Sequence, residues 1–547
     1  MKARLAAPIP IWIVLPVLFL AVLAAHATLL RLPYFWDEAG YYIPAAYDFF
    51  RTGALVPYST LSNAHPPLPS FLLTVAWKLF HFAPVVTRTT MCLVAAVALA
   101  AVWRLALLTT GKTSVAAATV LLTGLYPVFF AQSSLAHADM FAAAATLWAL
   151  VFFLEDKLLL TALVFTLAAL AKETAIITPL ALGVWESWRP HSHLRHRLGK
   201  IVALLAPVLP LGAWYVYHWH KTGFVFGNPQ FLRYNATANL SPQRIAIAFT
   251  HRLAHLTTHM NMFVPVAAML ACLLLPPVAE TETPPSDHEH LRRRIAPAYQ
   301  AIFYVVLLAN AVLFSILGGA LLTRYLLPLY PLVLLLCVNT FRRHLRHWTG
   351  LVALSAAGFI AALFINPVYG FAPEDNLEYA TFIRLHQAAI RQIVDHVPHP
   401  VVLSAWPATA ELSVPFLGYV DHPIPVISID DFAAHEIARA AALPPTWNAA
   451  LVFSTKYDPP PRAHFTRRDD SQAPDQAIDN RYFGFHRDLP PALIAHLLGG
   501  AVAWQAASKG EWAAVLVFAR QPGPTWAAYP ASGPARATSP ASPSSSR

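Results

Sequence analysis

Five short segments of this 547-residue chain carry side chains able to do chemistry. Asp37 and Glu38 lie in Tyr34-Phe35-Trp36-Asp37-Glu38-Ala39-Gly40-Tyr41-Tyr42, and Asp139 in Ala136-His137-Ala138-Asp139-Met140. Cations stand in Ala171-Lys172-Glu173-Thr174 and in Leu322-Thr323-Arg324-Tyr325-Leu326-Leu327-Pro328, and His65 is followed by Pro66-Pro67-Leu68. A carboxylate among aromatic rings is suited to act as a general base in a dehydrated pocket. A second carboxylate facing the same space could orient an acceptor, or hold a divalent cation together with Asp37 or Glu38. Lys172 and Arg324 suit an anionic group, the planar guanidinium above all a phosphate, and the Pro-Pro turn would fix His65. Glu38, Tyr41 and Tyr325 flank these groups and are candidates for substrate contact. Each segment also has a plainer reading. Asp37 and Glu38 could be a solvated helix start in an interfacial aromatic belt, and Asp139 an N-terminal helix charge. Lys172-Glu173 could neutralise each other, Arg324 could snorkel to an interface, and His65 could be structural.

The elements that must position these groups are apolar. Hydrophobic residues make up 57% of the chain and charged residues 12%, against about 25% charged in soluble domains. Apolar stretches recur from Ile9 to Tyr369, at about eleven places: 9–30, 84–108, 115–132, 138–154, 158–171, 174–188, 201–217, 262–279, 298–318, 320–338 and 351–369. The first is preceded by Lys2 and Arg4, has no small-residue cleavage site, and is expected to stay as an uncleaved helix. The predicted class is an all-α polytopic membrane domain, 1–370, followed by a small soluble α/β domain. With the N-terminus inside, about 14 basic residues fall in about 60 inside positions and about 9 in about 110 outside ones. The net charge of +10 is thereby read as topology, and nucleic acid is not expected as a partner. All five segments then lie on the outer side, with the active site and C-terminal domain external to a multi-pass inner membrane protein. Cys92, Cys272 and Cys337 read as small buried hydrophobes.

Two stretches depart from simple spans. Leu158–Trp188, about 31 residues, is too long for one crossing and short for two, so a hairpin of short helices with Lys172-Glu173 at its tip is predicted. The outer loop 31–83 holds an apolar helical period over Leu68–Phe82, expected to lie in the interface, as Ile245–Met260 could. Beyond residue 370 the composition becomes ordinary. Leu377–Val397 has a helical period, and Val401–Ala405, Pro425–Ile429, Ala450–Ser454 and Ala514–Ala519 read as short buried strands. This external α/β domain, 371–520, is expected to influence acceptor choice and not the chemical step, its pairs Asp430-Asp431 and Asp469-Asp470 being solvated surface. The Pro/Ala/Ser tail 521–547 should be disordered.

The five segments, in this order and over roughly residues 9–340, resemble the GT-C glycosyltransferases. The likeness is to the branch holding protein O-mannosyltransferases, aminoarabinose transferases of lipid A and lipopolysaccharide-core transferases. The resemblance implies a polyprenyl-phosphate-linked sugar donor and an envelope lipid, glycan or protein acceptor. It implies Asp37 and Asp139 as the acidic catalytic positions, and Lys172, Arg324 and, less directly, His65 as the donor-phosphate site. Phosphate is already a good leaving group, so the chemistry needs cations for developing charge and one base for the acceptor hydroxyl, and not the acid–base pair of a glycosidase. A base opposite the phosphate would invert the anomeric carbon. Two other classes remain open at this stage: a transporter or flippase of lipid-linked sugars, for which no internal repeat is seen, and a membrane-anchored assembly protein acting through its external domain.

Overall fold

The computed structural model describes residues 10–189, 194–229, 232–233, 240–280, 291–457, 482–483 and 488–518. Lys2, Arg4, the Asp469-Asp470 pair and the tail 521–547 lie outside the described residues. Within them the chain is mostly helical up to Phe364 and ends in a five-stranded sheet region.

Among the described residues, three helices are long and apolar enough to cross a membrane: Pro84–Thr110, Leu194–Thr222 and Pro297–Ile316. Seven shorter apolar helices accompany them. Several expected stretches are broken where proline dictates. The stretch 115–132 splits into Thr113–Leu125 and Pro127–Gln132, because the residue before a proline is pushed out of the helical region and Tyr126 takes φ −59°, ψ 123°. The stretch 262–279 is helical only over Phe263–Cys272, ahead of Pro276-Pro277. In 320–338 the helix starts only at Tyr330, with Pro331 in its first turn where no amide is needed. Thr323–Leu326 before it is a separate 3₁₀ turn.

Pro84–Thr110 and Ala138–Leu154 pack side by side through small residues, Ala95, Ala98, Ala142 and Ala143 among those buried, which lets the backbones approach closely. Large apolar side chains face outward on several helices, for example Trp12, Leu159, Leu209, Leu308 and Leu354. The two short helices are present, Leu158–Ala171 and Ile177–Trp188, with Lys172 and a 3₁₀ turn Glu173–Ile176 between them, and both pack on the helix Leu194–Leu205. Helices Leu68–Phe80 and Pro242–Thr257 match the two stretches expected to lie flat.

The C-terminal sheet is built from β1 (Val402–Ala405), β2 (Val426–Ile429), β3 (Ala449–Phe453), β4 (Ala501–Ser508) and β5 (Glu511–Val517), in the order β2-β1-β3-β5-β4. β1 pairs in parallel with β2 and β3, while β5 is antiparallel to β3 and β4. β1 and β3 are buried along their whole length, as continuous apolar parallel strands should be. β4 is the strand that the apolar runs did not reveal. It is an edge strand with exposed positions, and its Ala-rich sequence has little strand preference. It is joined to β5 by Lys509-Gly510, both with positive φ, the conformation a two-residue hairpin needs. Helix Glu378–His396 buries Phe382, Ile383 and Ile390 against the sheet.

This region sits directly on the loop after the first helix and on the segment before Ala138. Tyr419 donates to the Tyr34 carbonyl at 3.0 Å, Ser134 and Tyr379 share a hydrogen bond at 3.0 Å, and Phe35 meets Phe382 edge-on at 5.4 Å. Trp406, just after β1, lies so close to Gly40 that a Cβ there would stand 2.3 Å from its indole nitrogen. Glycine at position 40 is therefore what allows the sheet region to close onto the loop.

Candidate active site

The loop after the first helix is fixed by an ion pair that faces away from the cavity. Glu38 is fully buried; its carboxylate accepts from the amides of Phe35 (2.9 Å) and Ala136 (2.6 Å) and pairs with Arg88 at 3.3 Å. Arg88, in helix Pro84–Thr110, also donates to the carbonyls of Leu32 (3.0 Å), Pro33 and Ser134 (2.9 Å). One buried pair thus ties the segment after the first helix to the segment before Ala138. It places Asp37 and Asp139 beside the same guanidinium, that of Arg324. The expectation that Glu38 contacts substrate is corrected here: both its oxygens are occupied inside the protein, and it does not line the cavity. Burial pushes the Glu38 carboxyl up, against the pull of Arg88 and the two amides.

Asp37 itself is presented by Trp36, whose φ of 42° is left-handed. That conformation costs a non-glycine residue roughly 1–2 kcal/mol. It is held by ring contacts of Trp36 with Trp406 (4.8 Å) and Phe382 (5.6 Å). A π-helical turn, Glu38–Tyr42, follows, so that Tyr41 faces the cavity and is anchored on Asn63.

Arg324 stands at the centre of the site among three carboxylates, hydrogen-bonded to two of them. Nη2 binds Asp37, Nη1 binds Glu374 at 2.5 Å, and Nε lies 3.4 Å from Asp139. The other oxygen of Asp139 accepts from Lys172 at 2.6 Å. The Lys172 ammonium also lies over the Tyr325 ring, 4.0 Å from its centre. Lys172 therefore pairs with Asp139 and not with its neighbour Glu173, whose carboxylate is taken by His65 Nδ1 at 2.7 Å. Burial would raise the Glu173 carboxyl, but His65 and Lys172 outweigh it and hold the carboxyl low. Of the three carboxylates on Arg324, only Asp37 is accessible: its side chain is 31% exposed, against 3% for Asp139 and 5% for Glu374.

These groups border a cavity of about 1430 Å³. Asp37, Tyr41, His65, Lys172, Arg324, Tyr325 and Glu374 line its polar end. Leu180, Leu211, Phe226, Phe314 and Leu317 form an apolar wall. Asp139 is not in the wall. It lies behind Lys172 and Arg324, in a position to hold two cations toward the cavity and not to meet a substrate. His137, beside it, is pushed well below the ordinary imidazole range by burial, with Arg324 and Lys172 nearby. Its Nδ1 is 2.8 Å from Gln132. Among the described residues, no three or more His, Cys, Asp or Glu side chains converge in a way that could hold a metal ion.

Glu374 and Asp375 belong to the region expected to stay out of the chemistry, yet both reach the cavity. Asp375 is held by Thr323 and by His259 at 3.0 Å, and Gln132 donates to the Glu374 carbonyl at 3.3 Å. The signal in the sequence was an acidic pair immediately after the last apolar stretch, on the same side as Asp37.

Comparison with known proteins agrees with this architecture. Residues 64–214 match the family model described as dolichyl-phosphate-mannose-protein mannosyltransferase. The fold is that of ArnT from Cupriavidus metallidurans. The structure of ArnT bound to undecaprenyl phosphate aligns with a TM-score of 0.50 at 17% identity, covering 92% of this chain and 98% of that one. The apo structure of ArnT aligns with 0.51 at 16% identity, covering 92% and 97%. Curated protein sequences give no match. The family match covers the segment 64–214, and the likeness to ArnT extends over nearly the whole chain as a shared fold.

Proposed function

We propose that this protein is an inverting glycosyltransferase that moves a sugar from a polyprenyl-phosphate donor to an envelope lipid, glycan or protein. The observation that carries this reading is the pairing of an apolar cavity wall with two buried cations, Lys172 and Arg324, and one accessible carboxylate, Asp37, at its polar end. A lipid-linked phosphate has the same division, an apolar chain and a compact anion. The ArnT structure of the same fold is described as bound to undecaprenyl phosphate.

In this mechanism the donor phosphate enters where Asp37 now sits on Arg324 Nη2, and also meets the Lys172 ammonium. Asp37 is displaced from the guanidinium and becomes available to the acceptor hydroxyl. The acceptor oxygen then bonds to the anomeric carbon as the bond from that carbon to the phosphate oxygen breaks. The hydroxyl proton passes to Asp37, and Arg324 and Lys172 stabilise the charge left on the departing phosphate. Asp139 acts by positioning both cations. Attack from the side opposite the phosphate gives inversion. Tyr41, Tyr325 and His65 border the space for the sugar, and a divalent cation, if used, would enter with the substrates.

The same reading places the outward-facing apolar helices in the cytoplasmic membrane, with about eleven crossings, the shorter ones met by local thinning of the bilayer or buried in protein. The basic ends, such as Arg342 and Arg343, then face inside, and the cavity and sheet region outside.

The direct test uses the full-length protein in lipid nanodiscs with undecaprenyl-phosphate-linked sugars, each offered with envelope lipid extracts, glycan or peptide acceptors. Transfer with release of undecaprenyl phosphate supports the reading. Transbilayer movement of the donor without transfer points instead to a flippase.

A further inference from the structure

Glu374 has a place in the site that the mechanism above does not use. It sits on the 3₁₀ turn Pro373–Asp375, between the last apolar helix and the sheet region. It binds Arg324 Nη1 at 2.5 Å, on a different nitrogen from Asp37. The turn is braced from three sides: Gln132 on the Glu374 carbonyl, and Thr323 and His259 on the Asp375 carboxylate. This is a rigid mount for a side chain that lines the cavity without being exposed in it.

We infer that Glu374 is a positioning residue that holds Arg324 by Nη1 while the donor phosphate replaces Asp37 at Nη2, and that it does so as the neutral acid. The inference rests on the reading of Arg324 as part of the donor-phosphate site. Charge is the reason for the neutral form. Lys172 and Arg324 are the cations of this cluster. Asp139 already lies between them, Asp37 is retained as the base, and the phosphate adds a further negative charge. An ionised Glu374 would then be a surplus anion in a dry site, where an unbalanced charge is costly. A neutral carboxyl keeps the bond, its carbonyl oxygen still accepting from Nη1.

The groups facing Glu374 agree with this. From the first outer loop comes Asp37, from the 3₁₀ turn Arg324, from the start of helix Ala138–Leu154 Asp139, with His137 just before it. Asp375 is on its own turn, with His259 behind Asp375, and Lys172 acts through Asp139. Burial pushes the Glu374 carboxyl up to about 8; Arg324 pulls it down, and Asp37, Asp375 and Asp139 push it up. Below that pH it carries its proton; above it the carboxylate repels an incoming phosphate, so donor affinity should fall as pH rises.

The test measures binding of undecaprenyl phosphate to the full-length protein in nanodiscs between pH 7 and pH 9. Over this range the second ionisation of a phosphate monoester, near 6, is essentially complete. The wild-type affinity should fall about tenfold, the change expected when only the protonated form of a group titrating near 8 binds. Glu374→Gln, which keeps the accepting oxygen and cannot ionise, should bind as the wild type does at pH 7 and stay flat to pH 9. Glu374→Ala, which frees Nη1, should bind more weakly than Glu374→Gln at every pH. A tenfold fall that persists in Glu374→Gln overturns the inference, as does a wild-type profile that is flat. If the wild type fails to bind undecaprenyl phosphate at any pH, the donor reading itself fails and takes this inference with it.

Discussion

The Asp37 carboxylate accepts a hydrogen bond from Arg324 across 287 positions of sequence. The residue read as the base and a residue read as a phosphate ligand are therefore partners of each other in the unliganded protein. A donor phosphate must compete with Asp37 for the guanidinium, and only that exchange leaves the carboxylate free to accept a proton.

Asp37→Asn should consequently separate binding from turnover. Transfer should fall by about 10²–10⁴-fold, the usual loss for a general base. Binding of undecaprenyl phosphate should be retained or become tighter, because the competing anion is gone. Parallel measurements of turnover and lipid-phosphate affinity decide this. Near-normal transfer, or loss of lipid binding equal to the loss of transfer, would contradict the assignment.

Lys172→Ala and Arg324→Ala should raise the donor KM more than the acceptor KM, by tenfold or more for charge-assisted contacts worth about 1.5–3 kcal/mol each. Arg324→Lys should not restore activity. An ammonium cannot hold Asp37, Glu374 and Asp139 on three nitrogens at once. Asp139→Asn should imitate a weaker form of both alanine variants, since Asp139 reaches the substrate only through the two cations.

The pair Glu38–Arg88 should behave as structure. Removing one partner of a buried ion pair typically costs about 3–5 kcal/mol. Arg88→Met should therefore lower the thermal unfolding temperature and the yield of folded protein. The same experiment on Asp37→Asn should leave stability nearly unchanged. If Arg88→Met is stable and inactive, Glu38 and Arg88 have a role in the reaction beyond holding the loop.

Much of the site could be read from sequence because its parts are short segments at the ends of apolar stretches. The Lys172 hairpin followed from length alone, since about 31 residues cannot form two full crossings. The pairing could not be read. Lys172-Glu173 are neighbours in sequence, but the 3₁₀ turn after Lys172 sends them to different partners, Asp139 and His65. Glu38 stood beside Asp37 with the same carboxylate group, and only the fold shows that one turns inward to Arg88 while the other stays on the cavity. Glu374 lay beyond the last apolar stretch, where composition suggested another domain. That the two regions share a cavity is a fact of packing. β4 escaped for a different reason: Ala fills half of this edge strand, and Val502 is its one β-branched residue, too little to reveal a strand.

Within the sheet region, Glu511 supplies a pH-dependent stability that can be measured apart from activity. It is buried and receives a hydrogen bond from Ser454. Burial, with Glu378 and Asp488 nearby, pushes its carboxyl up to about 7 despite that bond. The folded state thus favours the protonated acid, so its stabilising contribution is complete below the ordinary carboxyl range and is lost as pH rises through about 7. The loss amounts to at most about 3 kcal/mol. Glu511→Gln should unfold at the same temperature as wild type at about pH 4 and at a higher one at about pH 8. Equal unfolding temperatures at pH 8 would mean that the carboxylate is accommodated without cost.

Mass spectrometry of envelope glycolipids, glycans and glycoproteins from cells with and without the gene reaches the central claim most directly. The account predicts that deletion removes one sugar from one envelope component while its polyprenyl-phosphate-linked form accumulates. The wild-type gene should restore the modification, and an equally expressed Asp37→Asn gene should not. An envelope profile unchanged by deletion, or restored in full by Asp37→Asn, would contradict it.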